Sequence, residues 1–63
     1  MDLGYLDLST RAEHCLLRAN INTVEELCNH TKEDLLRLRA FGPYSLKEVQ
    51  DALEKKGLHL KRY

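Results

Sequence analysis

Apolar residues recur along the chain at the spacing of one helix face, in segments separated by short polar turns. In the first segment the apolar positions follow i, i+3, i+4 and i+7: Ala12, Cys15, Leu16 and Ala19. This spacing predicts an amphipathic helix from Thr10 to about Ala19, with these positions buried. Ser9 is a favourable N-cap for it, and Asn20 suits the left-handed conformation that often ends a helix.

Three further helix starts are indicated by a Ser or Thr three residues before an acidic residue, the spacing of a capping box. These pairs are Thr23–Glu26, Thr31–Asp34 and Ser45–Glu48. The last pair predicts a fourth helix from Ser45 to about Lys56, with Gly57 as its C-terminal cap. The apolar positions of these three helices are Val24 and Leu27, then Leu35, Leu36 and Leu38, then Leu46, Val49, Ala52 and Leu53.

A tight turn is predicted at Phe41-Gly42-Pro43, because Gly42 can take a positive φ and Pro43 donates no N–H. Residues 21–27 and 41–49 share one pattern: apolar, turn, Ser or Thr cap, apolar, any residue, Glu, apolar. This internal repeat predicts two helix–turn–helix hairpins that pack face to face around one core.

The predicted fold is all-α, a compact domain of four to five helices built from two helix-hairpin-helix units. A single domain is expected over residues 1–63. It divides into an extended N-terminal arm (1–8), a first hairpin (9–29), a second hairpin (31–57) and a C-terminal tail (58–63). Leu58 and Leu60 of the tail are expected to fold back onto the core.

Composition restricts the possible functions of the protein. Of its 63 residues, 43% are hydrophobic and 32% charged, which is typical of a soluble globular domain. No apolar run is long enough to span a membrane, and no signal peptide is evident. Ten basic and ten acidic residues cancel, so any nucleic-acid contact is expected to be local, weak and sensitive to salt. Cys15 and Cys28 are expected to be reduced thiols in a cytoplasmic protein.

Candidate chemistry is concentrated at one helix face and one turn. Arg11, His14 and Arg18 follow i, i+3 and i+7 on the first helix, where they suit phosphates or a narrow minor groove, or simply form a solvated face. The amides of the Gly42 turn and the helix after it favour an anion; the alternative is a plain corner between helices.

Metal and catalytic functions are not expected. A zinc site from His14, Cys15, Cys28 and His30 would not have a recognised ligand spacing. Neither a glycine-rich phosphate loop nor a nucleophile–base pair is evident, so we expect no cofactor, no metal and no enzymatic activity from the domain alone.

The turn around Gly42 resembles a helix-hairpin-helix motif, and the whole region from Leu6 to Leu60 resembles the C-terminal domain of the bacterial RNA polymerase alpha subunit. The matching segments are 6–11, 14–16, 21–27, 31–36, Gly42 and 45–49. The resemblance implies a module tethered to a nucleotidyltransferase, in the cytoplasm and associated with the nucleoid. Its implied partners are AT-rich upstream promoter DNA, sigma factor, transcription regulators and the rest of RNA polymerase.

The resemblance also assigns roles to individual residues. Arg11 occupies the position of the arginine that enters the minor groove, and His14 stands where the family usually has Asn. Gly42 and Ser45 match the glycine and serine that bind the phosphate backbone. Pro43 and Tyr44 replace two residues that are usually basic, which implies weaker binding with a flatter salt dependence.

The predicted contact residues form two sets. The predicted DNA-binding set is Arg11, His14, Cys15, Arg18, Gly42, Tyr44, Ser45 and Lys47. The predicted protein-contact set is Leu3, Tyr5, Asp7, Leu17 and Phe41. The alternative function is a diverged, non-catalytic protein-interaction domain of the same fold with little or no DNA binding.

Overall fold

A computed structural model describes residues 1–62, which form five helical elements. A short 3-10 helix is followed by four α-helices: Leu3–Leu6, then α1 (Thr10–Arg18), α2 (Val24–Cys28), α3 (Lys32–Leu36) and α4 (Pro43–Lys55). Residues 1–62 contain no β-strand, only the isolated bridges Asp2–Thr23 and Thr31–Lys61. The predicted all-α class is confirmed. Tyr63, the last residue of the predicted tail, lies outside the described residues.

One hydrophobic core joins all five elements. Its fully buried side chains come from every α-helix and from the loop before α2: Leu16, Ile21, Leu27, Leu35, Val49 and Leu53. The helical spacing identified most of the core correctly, although Ala19 and Ala52 lie at its edge, half-buried. Helix α4 is central, because it packs against α1, α3 and the 3-10 helix. None of the helices in residues 1–62 is both long and apolar enough to cross a bilayer.

The ends of α1 and α4 have the same geometry. Asn20 and Gly57 are left-handed, with φ of 63° and 73°. After each of them an N–H bonds back to a carbonyl five residues earlier, Ile21 to Leu16 and Leu58 to Leu53, both at 2.9 Å. These are Schellman ends, which satisfy carbonyls that the helix leaves unpaired. The predicted helix ends are therefore confirmed at both sites.

Three of the predicted N-caps are confirmed. Ser9, Thr23 and Thr31 each accept a hydrogen bond from the backbone N–H three residues later. At Thr31 the capping box is complete, because Asp34 Oδ2 also accepts from the Thr31 N–H at 3.1 Å. Short helices such as α2 and α3 have few internal hydrogen bonds, so these caps contribute much of their local stability.

The predicted start of α4 is wrong. The helix begins at Pro43, two residues before Ser45, with Gly42 as an N-cap that makes no side-chain bond. Proline suits the first helical position because its φ is already helical and the N–H it lacks would be unpaired there. Gly42 has φ −104°, and the left-handed residue of this turn is Ala40, with φ 63°.

The N-terminal arm was predicted to be extended, but it forms a 3-10 turn. Asp2 caps this turn by accepting from the Gly4 N–H at 3.0 Å, and the turn brings Leu3 and Leu6 onto the same side, where both are buried. In the tail, Leu60 is buried as predicted, whereas Leu58 remains 36% exposed. The Lys61 N–H donates to the His30 carbonyl at 3.1 Å and holds the tail beside α3.

The capping box of α3 predicts a defined acid dependence of stability. The hydrogen bond from the Thr31 backbone N–H lowers the pKa of Asp34 below its ordinary value. The carboxylate is therefore favoured in the folded state, and its contribution is complete above the unfolded pKa and lost as the pH falls through the lowered one. We expect Asp34→Asn to lower the melting temperature at pH 6 and to lower it less below about pH 4. Melting curves followed by circular dichroism check this, and an equal difference at both pH values would contradict it.

Candidate nucleic-acid interface

The exposed face of α1 carries three of the predicted DNA-binding residues. Arg11, His14 and Arg18 are all solvent-exposed, while Ala12, on the opposite side, is buried. Two helical turns, about 10.5 Å, separate Arg11 from Arg18. The helix therefore presents a cationic stripe with a guanidinium at each end.

Cys15 connects this helix to the turn before α4. Its Sγ lies 3.6 Å from the Ala40 carbonyl oxygen, as a weak donor. The thiol side chain is buried, with 8% exposure, so the DNA contact predicted for Cys15 needs correction: its side chain belongs to the core and fixes the turn. The left-handed conformation of Ala40 belongs to the chain reversal at this position. This contact places the residues just before Gly42 against α1, although the two segments are far apart in sequence.

An open depression lies between α1 and the connection from α3 to α4. Its lining residues are Cys15, Arg18, Ala19, Arg37, Leu38 and Arg39. Sequence reasoning missed Arg37 and Arg39, both of which are exposed. The alternation of Arg, Leu and Arg was visible in the sequence, and Leu38 packs against the core between the two arginines. Their position beside Arg18 is visible only in the folded domain, where the three arginines line one depression.

The N-terminus of α4 offers backbone donors. Gly42 and Ser45 are both half-buried, and the first turn of this helix receives no side-chain cap. Uncapped N–H groups at the positive end of a helix dipole attract anions. Ser45 lies inside this first turn, so the cap predicted for its hydroxyl is absent, although the residue keeps its place beside Gly42.

Tyr44 and Lys47 do not line the depression between α1 and the connection from α3 to α4. Tyr44 is 91% exposed, and both residues line a depression together with Leu6, Asp7 and Leu8. Lys47 also borders a depression beside the tail. Neither depression includes a residue of α1.

The predicted protein-contact residues divide by exposure. Tyr5 and Leu17 are each 42% exposed and Asp7 is exposed, but Leu3 and Phe41 are only 2% and 4% exposed. The contact predicted for Leu3 and Phe41 needs correction, because both side chains are part of the core. Leu36, with 45% exposure, is an exposed leucine that the prediction did not include. Lys56 also lies over the Tyr5 ring, 4.5 Å from its centroid.

Both cysteines are free thiols. Partial burial is the main cause that raises the pKa of Cys28, and the nearby Glu25 charge adds to it. The raised pKa favours the protonated thiol of Cys28. Across residues 1–62 no three His, Cys, Asp or Glu side chains are grouped closely enough to hold a metal ion.

A clamp between α4 and the start of α1 holds the arginine stripe in place. The Glu48 carboxylate accepts from the Ser9 N–H and also, at 3.0 Å, from the Ser9 hydroxyl. Ser9 caps α1 two residues before Arg11. Glu48, which was predicted to form a capping box with Ser45, thus binds Ser9 in the first hairpin.

Removing this clamp is expected to destabilise the domain. Glu48→Ala loses both hydrogen bonds, at a cost of about 1 kcal/mol because the site is partly exposed. For a domain this small, that lowers the melting temperature by about 4–8 °C. Thermal melts check this value, and Glu54→Ala, which removes an exposed carboxylate of the same helix, is the control. Equal effects of the two substitutions would show that the clamp contributes nothing.

Known proteins have sequences similar to this one. The family described as the C-terminal domain of the bacterial RNA polymerase alpha chain matches residues 1–55. The DNA-directed RNA polymerase subunit alpha of Bacillus velezensis is 50% identical over 62 residues, and that of Clostridium botulinum (strain Hall) is 47% identical over 62 residues. Each match covers 98% of the present protein and 20% of the relative, so the sequence spans about a fifth of the length of these curated relatives. The protein belongs to the family of the C-terminal domain of the bacterial RNA polymerase alpha chain.

Proposed function

We propose that this domain acts in transcription as a non-catalytic part of an RNA polymerase alpha subunit and binds upstream promoter DNA. In this proposal α1 lies over the minor groove of AT-rich DNA, and the Gly42 turn lies against a phosphate. The observation that carries it is the Cys15–Ala40 contact, which places the residues just before the uncapped start of α4 against α1, the helix that carries the exposed stripe. The domain is proposed to act together with the rest of the polymerase, in the cytoplasm and at the nucleoid.

Arg11 is the residue proposed to enter the groove. The body of an α-helix is about 10–12 Å wide, while the minor groove is about 6 Å wide, so α1 is too wide to enter it and only a side chain fits. Arg11 lies in the first turn of α1 and is exposed. An AT-rich minor groove is narrow and strongly negative, which favours an inserted guanidinium.

The affinity is expected to be low. The protein has no net charge, and residues 42–46 at the start of α4 include no cation. Few phosphates are therefore neutralised, and each contact contributes only about 0.9 to the slope of log K against log salt. Tethering to the polymerase would raise the effective concentration at the promoter without any new contact.

Backbone amide shifts in the presence of DNA test this proposal. The 15N-labelled protein is titrated with an AT-rich duplex and with a GC-rich duplex of equal length at low salt. Shifts of Arg11, Gly42 and Ser45 amides, larger with the AT-rich duplex, are expected. If these three amides do not move while the duplex is present in large excess, the proposed DNA interface is wrong.

A protein-interaction function is the second candidate, and the exposure of Tyr44 favours it. A tyrosine that is 91% exposed offers an apolar ring with a polar end, the type of residue enriched in protein interfaces. Sigma factor and transcription activators are the proposed partners, through Tyr44, Leu17 and the arm. A titration with sigma factor that shifts the Tyr44 and Leu17 amides, with no response to DNA, would favour this function alone.

A further inference from the structure

An open depression of about 800 Å³ lies between α4, the start of α3 and the C-terminal tail. We propose that it binds a free nucleoside triphosphate, with the phosphates on the cations of α3 and the tail and the ribose on the carboxylates of α4. The volume of the depression is within the range of small-molecule sites. The inference goes beyond the proposed DNA and protein contacts, because none of its residues belongs to α1 or to the connection from α3 to α4.

The tail that forms one wall of the depression is held in place by the backbone and the core. The Leu58 N–H bonds back to the Leu53 carbonyl at 2.9 Å. The Lys61 N–H donates to the His30 carbonyl at 3.1 Å. Leu60, between these two bonds, is buried in the core with 7% exposure. The wall is therefore fixed before a ligand arrives, which lowers the cost of ordering it on binding.

The wall formed by α3 and the tail is cationic. Lys32 is the first residue of α3, and Lys61 and Arg62 belong to the tail; all three are exposed and line the depression. Thr31 forms a bridge with Lys61, so the backbones of Lys32 and Lys61 are close together. Within residues 1–62 no carboxylate oxygen lies within 4.0 Å of these cations. They can therefore bind an anion with several charged oxygens, such as a triphosphate.

The wall formed by α4 carries hydrogen-bond acceptors. Its lining residues follow i, i+3, i+4 and i+7 and so share one face of the helix: Lys47, Gln50, Asp51 and Glu54. A carboxylate accepts hydrogen bonds from ribose hydroxyls, as acidic residues do in dinucleotide-binding folds. Asp51 and Glu54 would repel a ligand that is anionic throughout, which favours one with neutral hydroxyl groups beside its phosphates.

The overall charge of the depression also suits an anionic ligand. Four cations line it against two carboxylates, whereas the protein as a whole has no net charge. The fourth cation is Lys47, one turn before Asp51 on α4. The depression is thus locally positive in a neutral domain, and its two carboxylates both lie on α4.

Apolar surface for the base is provided by Leu58. Its side chain lines the depression and is 36% exposed. The flat face of a nucleobase can cover this leucine and remove apolar surface from water. The Gln50 amide both donates and accepts hydrogen bonds, so it suits the edge of any base. Little preference among the four bases is therefore expected.

Amide shifts of the 15N-labelled protein, measured without DNA, test the inference. ATP, its 2′-deoxy form and inorganic tripolyphosphate are titrated separately. ATP is expected to shift the amides of residues 58–62, Lys32 and Gln50, and the loss of one hydroxyl contact raises Kd about threefold for the deoxy form. Tripolyphosphate is expected to bind more weakly than ATP.

Three outcomes of these titrations would overturn the inference. In the first, a large excess of ATP moves none of these amides. In the second, tripolyphosphate binds as tightly as ATP, so that only phosphate is recognised. In the third, ATP and its deoxy form bind equally, so that the carboxylates have no part in recognition. The proposed DNA contact is independent of all three, because no duplex is present.

A matched pair of variants separates the site from net charge. K61Q/R62Q removes two exposed cations of the tail and is expected to raise the Kd for ATP about tenfold, as for two exposed charge contacts. R37Q/R39Q removes the same charge from exposed positions of another depression, and its Kd is expected to equal that of the wild type. Equal effects of the two double variants would show that only net charge matters and would overturn the inference. Circular dichroism of each variant confirms that the fold is intact before binding is compared.

Discussion

Leu35→Ala is expected to remove a large part of the free energy of unfolding of the protein. Leu35 is fully buried in α3, where it belongs to the single core. Truncating such a leucine typically costs about 3–5 kcal/mol, from lost transfer energy and the cavity left behind. A domain of this length has a total stability of only about 3–9 kcal/mol. Urea denaturation followed by circular dichroism at 222 nm gives the free energy of unfolding directly.

The next residue provides a matched control. Leu36 lies in the same short helix but is 45% exposed, so Leu36→Ala removes the same atoms from a site that is already largely in water. We expect a change below about 1 kcal/mol, partly offset by the higher helix propensity of alanine. A similar loss of stability in both variants would mean that α3 does not bury the side of the helix that carries Leu35.

The sequence was sufficient to predict features that depend on neighbouring residues. The left-handed ends at Asn20 and Gly57 and the capping box at Thr31 are local, because each partner lies within five residues. Helical spacing likewise predicted the burial of Val49 and Leu53.

Two local predictions failed because two rules competed at the same place. A serine three residues before a glutamate indicated a capping box at Ser45, but Pro43 is the better first residue of a helix and moved the start forward. Glu48 was then free to bind Ser9, 39 residues earlier in the sequence. Glycine was expected to be the left-handed residue of the turn, yet Ala40 has that conformation and Gly42 caps α4.

The candidate interface was predictable only in the part that lies on one helix. The stripe of Arg11, His14 and Arg18 follows from periodicity alone. The depression lined by Arg18, Arg37 and Arg39 does not, because α1 and the connection from α3 to α4 adjoin only in the folded domain. The burial of Phe41 also depends on how the two hairpins pack, which residue type does not reveal.

Arg11→Ala is expected to remove most of the DNA binding without harming the fold. The side chain is exposed on α1, and alanine has the higher helix propensity, so the free energy of unfolding should not fall. Losing a guanidinium that reads the groove is expected to cost about 1–3 kcal/mol of binding, roughly a 5- to 150-fold rise in Kd. Because this residue is proposed to sense groove width, the preference for AT-rich over GC-rich duplex should also decrease. Fluorescence anisotropy with both duplexes at low salt measures the two effects together.

Lys55→Ala is the control for this experiment. It removes one exposed cation from the last turn of α4, so the net charge of the two variants is the same. If binding depended on net charge alone, both variants would weaken it equally and neither would change the AT preference. If Arg11→Ala alone weakened binding, binding would instead require a specific position for this side chain.

That position depends on Ser9, the N-cap of α1, and therefore on the Glu48 carboxylate that binds it. Glu48→Ala should then weaken binding to the AT-rich duplex although it removes a negative charge, an outcome that nonspecific electrostatic attraction would reverse.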